Sequence, residues 1–195
     1  MRKRLILIFT LAIALFVIYK AVKRINFNSS YEVGQPIDSL NHVIVYFNGG
    51  VDNNSGRNTS NDQYNIGIKF QCVEFVKRYY YQHLNHKMPD SYGHAKDFFK
   101  AELTDSSLNE KRNLVQYKNP SKSKPKLDDL IVFSGTFFNK YGHVAIVASV
   151  KNDEIEIIQQ NPGPFGKSRE VFSLNFTKGR WTIENDRILG WLRKK

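Results

Sequence analysis

Gly67-Ile68-Lys69-Phe70-Gln71-Cys72-Val73-Glu74-Phe75-Val76-Lys77-Arg78-Tyr79-Tyr80 contains the chain's only cysteine, and the rest of the sequence is read outward from it. Apolar side chains recur at Cys72, Phe75, Val76, Tyr79, Tyr80 and Leu84, close to the three-to-four spacing of a helix with one buried face. The spacing predicts a helix from about Gln71 to His83 or His86, stopped by Lys87-Met88-Pro89. Cys72 stands at its start. A thiol there meets unpaired backbone N–H groups and the positive end of the helix dipole, and both favour the reactive thiolate. The plainer reading of a free cysteine is a small buried hydrophobe. A nucleophile would also need a base.

A candidate base follows 71 residues later, in Tyr141-Gly142-His143-Val144-Ala145-Ile146-Val147-Ala148-Ser149-Val150. The apolar run reads as a buried strand with His143 at its edge. A third group is offered by Glu154-Ile155-Glu156-Ile157-Ile158-Gln159-Gln160-Asn161. Strand alternation puts Ile155, Ile157, Gln159 and Asn161 on one face. Two amides at the end of an apolar face are able to orient a histidine.

These blocks carry a resemblance. Cys72 in QCVEFVKRYY, His143 in GHVAIV, the IIQQN segment and the terminal Ile188-Leu189-Gly190-Trp191 resemble the CHAP family, the cysteine, histidine-dependent amidohydrolases/peptidases. The likeness is to amidase domains of the glutathionylspermidine synthetase/amidase type in particular. It runs from about Tyr31 to Leu192, with four blocks in one order. It implies a papain-like α+β fold, with N-terminal helices including the Cys helix packed on an antiparallel sheet. It also implies Cys72 as nucleophile, His143 as base and Gln159 as the group orienting His143. Gln159 stands where the family pattern has Glu, and Asp128, in the Asp128-Asp129-Leu130-Ile131-Val132-Phe133 entry, where it has Gly. A neutral amide can accept the ring N–H but cannot stabilise an imidazolium as a carboxylate does. Asn161 is expected to support it. The Cys72 backbone N–H is the first candidate oxyanion donor, and the Gln71 side chain or a loop group a second.

The 195 residues suit one catalytic domain of ordinary size. One cysteine excludes an intramolecular disulfide. Neither paired Cys-x-x-Cys nor His-Glu-x-x-His spacing occurs, and His83, His86 and His94 read as a solvated helix end with its neighbour, so no metal or other cofactor is expected. The net charge is +11. Residues 1–24 hold six Lys/Arg and no acid, leaving 23 basic against 18 acidic residues elsewhere. That moderate excess suits cell wall or lipid headgroups. No dense basic stripe with interleaved aromatics points to nucleic acid.

Arg2-Lys3-Arg4 precede an uninterrupted apolar stretch of 15 residues, Leu5 to Tyr19, or 18 with a snorkelling Lys20 and Val22. About 17–25 residues cross a bilayer. Residues 1–24 are therefore read as an uncleaved signal anchor, with a cleaved signal peptide as the alternative. Flanking basic residues are balanced, so they do not set orientation. A short tail before a large domain favours an exported domain. Residues 25–41 read as linker and lead-in, and 42–195 as the catalytic domain. Within it, His42 to Phe47 alternates as a strand, and Asn48 to Asn65 is a long loop able to wall a cleft. Gly93 to Leu103 is expected as a second helix. Lys118 to Lys126 is a solvated loop, and strands are expected at 154–161, 169–176, 181–183 and 188–192.

Three functions compete at this level. One is an amidase or endopeptidase cutting peptide amides in peptidoglycan, tethered to a membrane. The second is a glutathionylspermidine-type amidase. The third is a non-catalytic binding domain on the same fold.

Overall fold

The computed structural model describes residues 2–195. It begins with α1 (Arg2–Val22), a 21-residue helix with no buried residue, long and apolar enough to cross a membrane. Strands β1 (Pro36–Leu40) and β2 (Val43–Tyr46) form an antiparallel hairpin, and β3 (Arg57–Thr59) and β4 (Asn65–Ile68) a second. Helix α2 (Cys72–Gln82) follows, then a 3₁₀ turn at Ala95–Phe98. The remaining strands are β5 (Ser107–Asn109), β6 (Leu114–Lys118), β7 (Leu130–Phe133), β8 (His143–Val150), β9 (Glu154–Ile158), β10 (Arg169–Thr177), β11 (Arg180–Ile183) and β12 (Ile188–Arg193). Those eight make one antiparallel sheet in the order β11-β10-β9-β8-β7-β12-β6-β5. The architecture is the expected α+β arrangement, with the Cys helix packed on an antiparallel sheet.

The sheet has a core on each face. One is filled by the apolar stripe of α2, where Phe75, Val76, Tyr79 and Tyr80 are wholly buried against Val144, Ile146 and Ile158. Truncating an aromatic residue at such a site costs about 3–5 kcal/mol. On the other face the sheet curls until Trp181 of β11 bridges to Ser121 beyond β6, enclosing Ile131, Phe133, Phe172 and Trp191. The two buried tyrosines of α2 also place the entry to β7. Tyr79 Oη donates to the Asp128 carboxylate at 2.5 Å, and Tyr80 Oη to the Asp128 carbonyl at 2.9 Å. Asp128 has φ +69°, a left-handed conformation that accounts for the Gly expected there by resemblance. Asp tolerates it here because its carboxylate is anchored.

Several elements differ from expectation. Residues 25–41 are not free of structure, because β1 pairs with β2 and Gln35 O accepts from Phe47 N at 2.9 Å. The 48–65 loop contains β3. The 93–103 segment makes only one 3₁₀ turn, although Ala95 and Phe98 are buried. The amide of buried Gln116 holds both backbone groups of Lys100, at 2.9 and 2.7 Å, which stops the helix. Strand β9 ends at Ile158 rather than Asn161.

Candidate active site

A cleft of about 590 Å³ opens where the start of α2 meets the start of β8. Cys72 and His143 both line it, with Gln71, Asn161, Tyr141 and residues of the 51–54 loop among the walls. The 48–65 segment thus walls the cleft, as its position before the Cys helix suggests.

Cys72 is the first residue of α2 and half-buried. Gln71, the N-cap, has extended backbone and makes no side-chain cap to the first-turn N–H groups. The sulfur lies within reach of the backbone N–H groups of Cys72, Val73 and Val144. Those donors favour a thiolate, but burial outweighs them and pushes the thiol up to about 11. This reverses the lowered value expected for a cysteine at a helix start: the same packing that seats the thiol against β8 removes the water that would solvate its charge.

His143 enters β8 opposite Phe133, whose ring lies 5.7 Å away. Gly142 before it has φ +76°, and a Cβ there would stand 2.6 Å from the Phe133 carbonyl oxygen, so only glycine admits this approach. His143 Nε2 lies 2.8 Å from Gln159 Oε1. An amide carbonyl can only accept, so Nε2 carries the proton and Nδ1 of the neutral ring keeps its lone pair. The Gln159 orientation is itself fixed, since its Nε2 donates to Lys167 O at 3.2 Å and to the Glu170 carboxylate at 3.3 Å. Burial, with a smaller contribution from the Arg187 charge, pushes the imidazole down to about 4. Both members of the pair are therefore neutral at rest near pH 7.

Asn161 and Gln71 are placed elsewhere. The alternation holds through Gln159, but the chain turns at Asn161, whose φ is +56°. The Asn161 amide donates to Val51 O at 2.9 Å and to Gln71 Oε1 at 2.7 Å, not to His143. Gln71 directs its own amide N–H groups at Val51 O and Asn53 O, at 3.2 and 2.7 Å. Both residues brace the loop that walls the cleft.

Gln160 is the residue that the alternation passes over. It is wholly buried, donates to Gln71 O at 3.0 Å and to Glu74 Oε2 at 2.9 Å, and accepts from Tyr46 N at 2.8 Å. Buried Glu74 pairs in turn with buried Arg78, at 2.6 Å. This network ties the end of β9 to the first turn of α2, and so the segment holding Gln159 to the helix holding Cys72. Adjacent polar residues in QQN, one facing His143 and one facing Glu74, were the available signal. Among the described residues no group of three or more His, Cys, Asp or Glu is arranged to hold a metal ion.

Residues 60–161 match the CHAP domain family. The chain belongs to the CHAP domain family. The matched span contains Cys72, His143 and Gln159. The chain is 29% identical over 149 residues to trypanothione synthetase of Crithidia fasciculata, covering 74% of this chain and 23% of that protein. It is 28% identical over 148 residues to the bifunctional glutathionylspermidine synthetase/amidase of Escherichia coli (strain K12), covering 70% of this chain and 23% of the relative. It therefore spans about a quarter of the length of these relatives. The solved structure of Ly7917 aligns with 65% of this chain and 54% of its own at 17% identity, with a TM-score of 0.38. CHAP membership and the amidase relatives support hydrolase chemistry of the amidase type.

Proposed function

We propose that the chain is a thiol-dependent amide hydrolase, tethered to a membrane by residues 1–24, that cuts peptide amides in peptidoglycan. Cys72 Sγ attacks the carbonyl carbon as its proton passes to His143 Nδ1. The imidazolium then protonates the leaving amine, and water releases the acyl group from sulfur. Gln159 holds the ring in the required tautomer. The Cys72 backbone N–H donates to the oxyanion, and one such donor is worth about 3 kcal/mol of barrier. Because burial keeps both groups neutral at rest, the thiolate forms by proton transfer during attack rather than as a standing ion pair.

The observation that carries this reading is that Cys72 and His143 line one cleft while Gln159 Oε1 engages Nε2 of the ring. The anchor reading rests on the exposed apolar length of α1, and the wall-peptide reading on that anchor and the basic balance of the chain. In this reading the domain after the anchor is the exported, catalytic one. A second reading, a glutathionylspermidine-type amidase, is favoured by the names of the amidase relatives.

The test uses the full chain in detergent with peptidoglycan peptides and with glutathionylspermidine. New amine ends from wall peptides, absent with Cys72→Ala and with His143→Ala, are expected. Turnover of glutathionylspermidine alone transfers the function to the second reading. Undiminished turnover by Cys72→Ala would sink the mechanism.

A further inference from the structure

Helix α1 is about 31 Å long at 1.5 Å per residue, the thickness of one bilayer core. Its C-terminal end and the turn after it, Lys20 to Arg24, then fall at the headgroup level. That end is not separated from the domain by a free linker. Asp52 N donates to Lys23 O at 2.9 Å, and the Lys23 ammonium lies 3.4 Å from the Asp52 carboxylate. A Cβ on Gly50 would stand 2.6 Å from Lys23 O, so the cleft-wall loop lies directly on the helix end. Lys20 and Arg24 themselves line the cleft.

Two more loops meet the chain here, one at the helix end and one at the segment just after it. Lys23 Nζ donates to Phe138 O at 3.0 Å, in the β7–β8 connection that leads into His143. The Asn28 amide donates to Pro164 O at 2.8 Å, in the connection that follows Asn161. Both loops are tipped by bare aromatic rings. Phe137 is 94% exposed, Phe138 70% and Phe165 72%. Among the described residues Phe137 and Phe138 stack only on each other, edge to face at 5.3 Å. Water is a poor solvent for three such rings, and the boundary between headgroups and acyl chains is a good one. Lys140 and Lys167, in the same two loops, add attraction to anionic lipid.

We propose that the loops tipped by Phe137–Phe138 and by Phe165 seat in the headgroup layer of the bilayer that α1 spans, so that the cleft opens against the membrane surface. The occupant is lipid, argued from continuity with the end of the spanning helix. The cleft then receives amides presented at the bilayer rather than from bulk water. This rests on the anchor reading above, but not on the identity of the scissile bond.

The test uses the full chain in vesicles of phosphatidylcholine and phosphatidylglycerol. In a Cys72→Ala background, Phe138→Cys and Asn152→Cys are each labelled with an environment-sensitive fluorophore. Asn152 lies in the hairpin at the far end of β8 and serves as the aqueous control. The label at 138 is expected to shift to the blue, to be quenched by shallow nitroxide lipids, and to resist aqueous iodide, while the label at 152 does the reverse. A chain that floats with vesicles but leaves position 138 as open to iodide as 152 overturns the proposal and spares the anchor. Self-quenching between labels at 138, without lipid quenching, assigns the rings to a second copy and overturns it too. A chain that does not float with vesicles overturns the anchor reading and this proposal together.

Discussion

Gln159 presents its carbonyl oxygen to Nε2 of His143 at 2.8 Å, while the Glu170 carboxylate takes the other end of the same amide at 3.3 Å. The carboxylate expected by resemblance beside the histidine is here one residue further out, behind a neutral amide. Gln159→Glu therefore puts two carboxylates against each other. The new charge raises the imidazole value, since a nearby opposite charge favours the imidazolium, but the like-charge pair destabilises the fold. We expect Gln159→Glu to lower the melting temperature and Gln159→Glu/Glu170→Gln to recover it, with the raised imidazole titration kept in both. Thermal melts and histidine NMR titrations read the two effects separately. Equal melting temperatures for the single and double variants would show that Glu170 does not sense position 159. Gln159→Ala, which removes the orienting bond, should lower kcat/KM about 5–150-fold, the equivalent of about 1–3 kcal/mol.

The pH dependence follows from two opposite shifts. The His143 ring drops from 6.5 to about 4 in the fold, so the unfolded chain binds that proton more readily. Its contribution to stability is whole above pH 6.5 and is lost as pH falls through 4. The Cys72 thiol rises from 9.0 to about 11, so its contribution is whole below pH 9 and is lost as pH climbs through 11. The stability difference between the native chain and Cys72→Ala should therefore stay flat from pH 7 to 9 and shrink above it, as followed by urea unfolding at each pH. Alkylation of the single thiol should be slow at pH 7 and accelerate only above pH 9. An inflection below 8.5 that disappears in His143→Ala would instead reveal a standing thiolate–imidazolium pair.

The catalytic candidates were legible because each sits where a strong periodicity begins or ends. Cys72 opens a helix whose apolar spacing is unambiguous, and His143 opens an eight-residue strand. What stayed hidden depends on contacts distant in sequence. Strands β3 and β5 are three residues each, too short to show alternation. The segment expected as a helix at 93–103 does bury Ala95 and Phe98, but Gln116 captures the Lys100 backbone from another strand. The direction of the thiol shift was also hidden, because a helix start can be read from sequence whereas the packing of β8 over the sulfur cannot.

Gln160 offers a test of how the two halves of the site are held together. Its amide meets Glu74 Oε2, Gln71 O and Tyr46 N inside the protein. Gln160→Ala leaves those groups buried without that partner, at about 1–3 kcal/mol for each one not rescued by water. The variant should unfold at markedly lower urea concentration and lose activity even where it remains folded, because α2 and the Gln159 segment lose their common tie. Calorimetry on Gln160→Ala beside Gln160→Glu separates loss of packing from loss of hydrogen bonds. The carboxylate variant should be the worse of the two, since it faces Glu74. A melting temperature within error of the native chain in either variant would remove the network from the account.

Asn161 distinguishes a residue that acts on the histidine from one that shapes the cleft. Its amide bonds Val51 O and Gln71 Oε1, and its left-handed backbone makes glycine rather than alanine the clean replacement. Asn161→Gly frees the Gln71 carbonyl and loosens the 51–54 wall, while leaving His143 and Gln159 as they are. The stability loss should be small, because the Asn161 Oδ1 atom is buried without a partner and its removal offsets part of the two lost bonds. The kinetic signature should be a higher KM at nearly unchanged kcat, with the same pH profile. A residue that oriented the imidazole would give the opposite result, a fall in kcat and a moved acid limb. Steady-state kinetics on Asn161→Gly across pH 5–9 decides between the two, and a shift of the acid limb would return Asn161 to the histidine's side of the cleft.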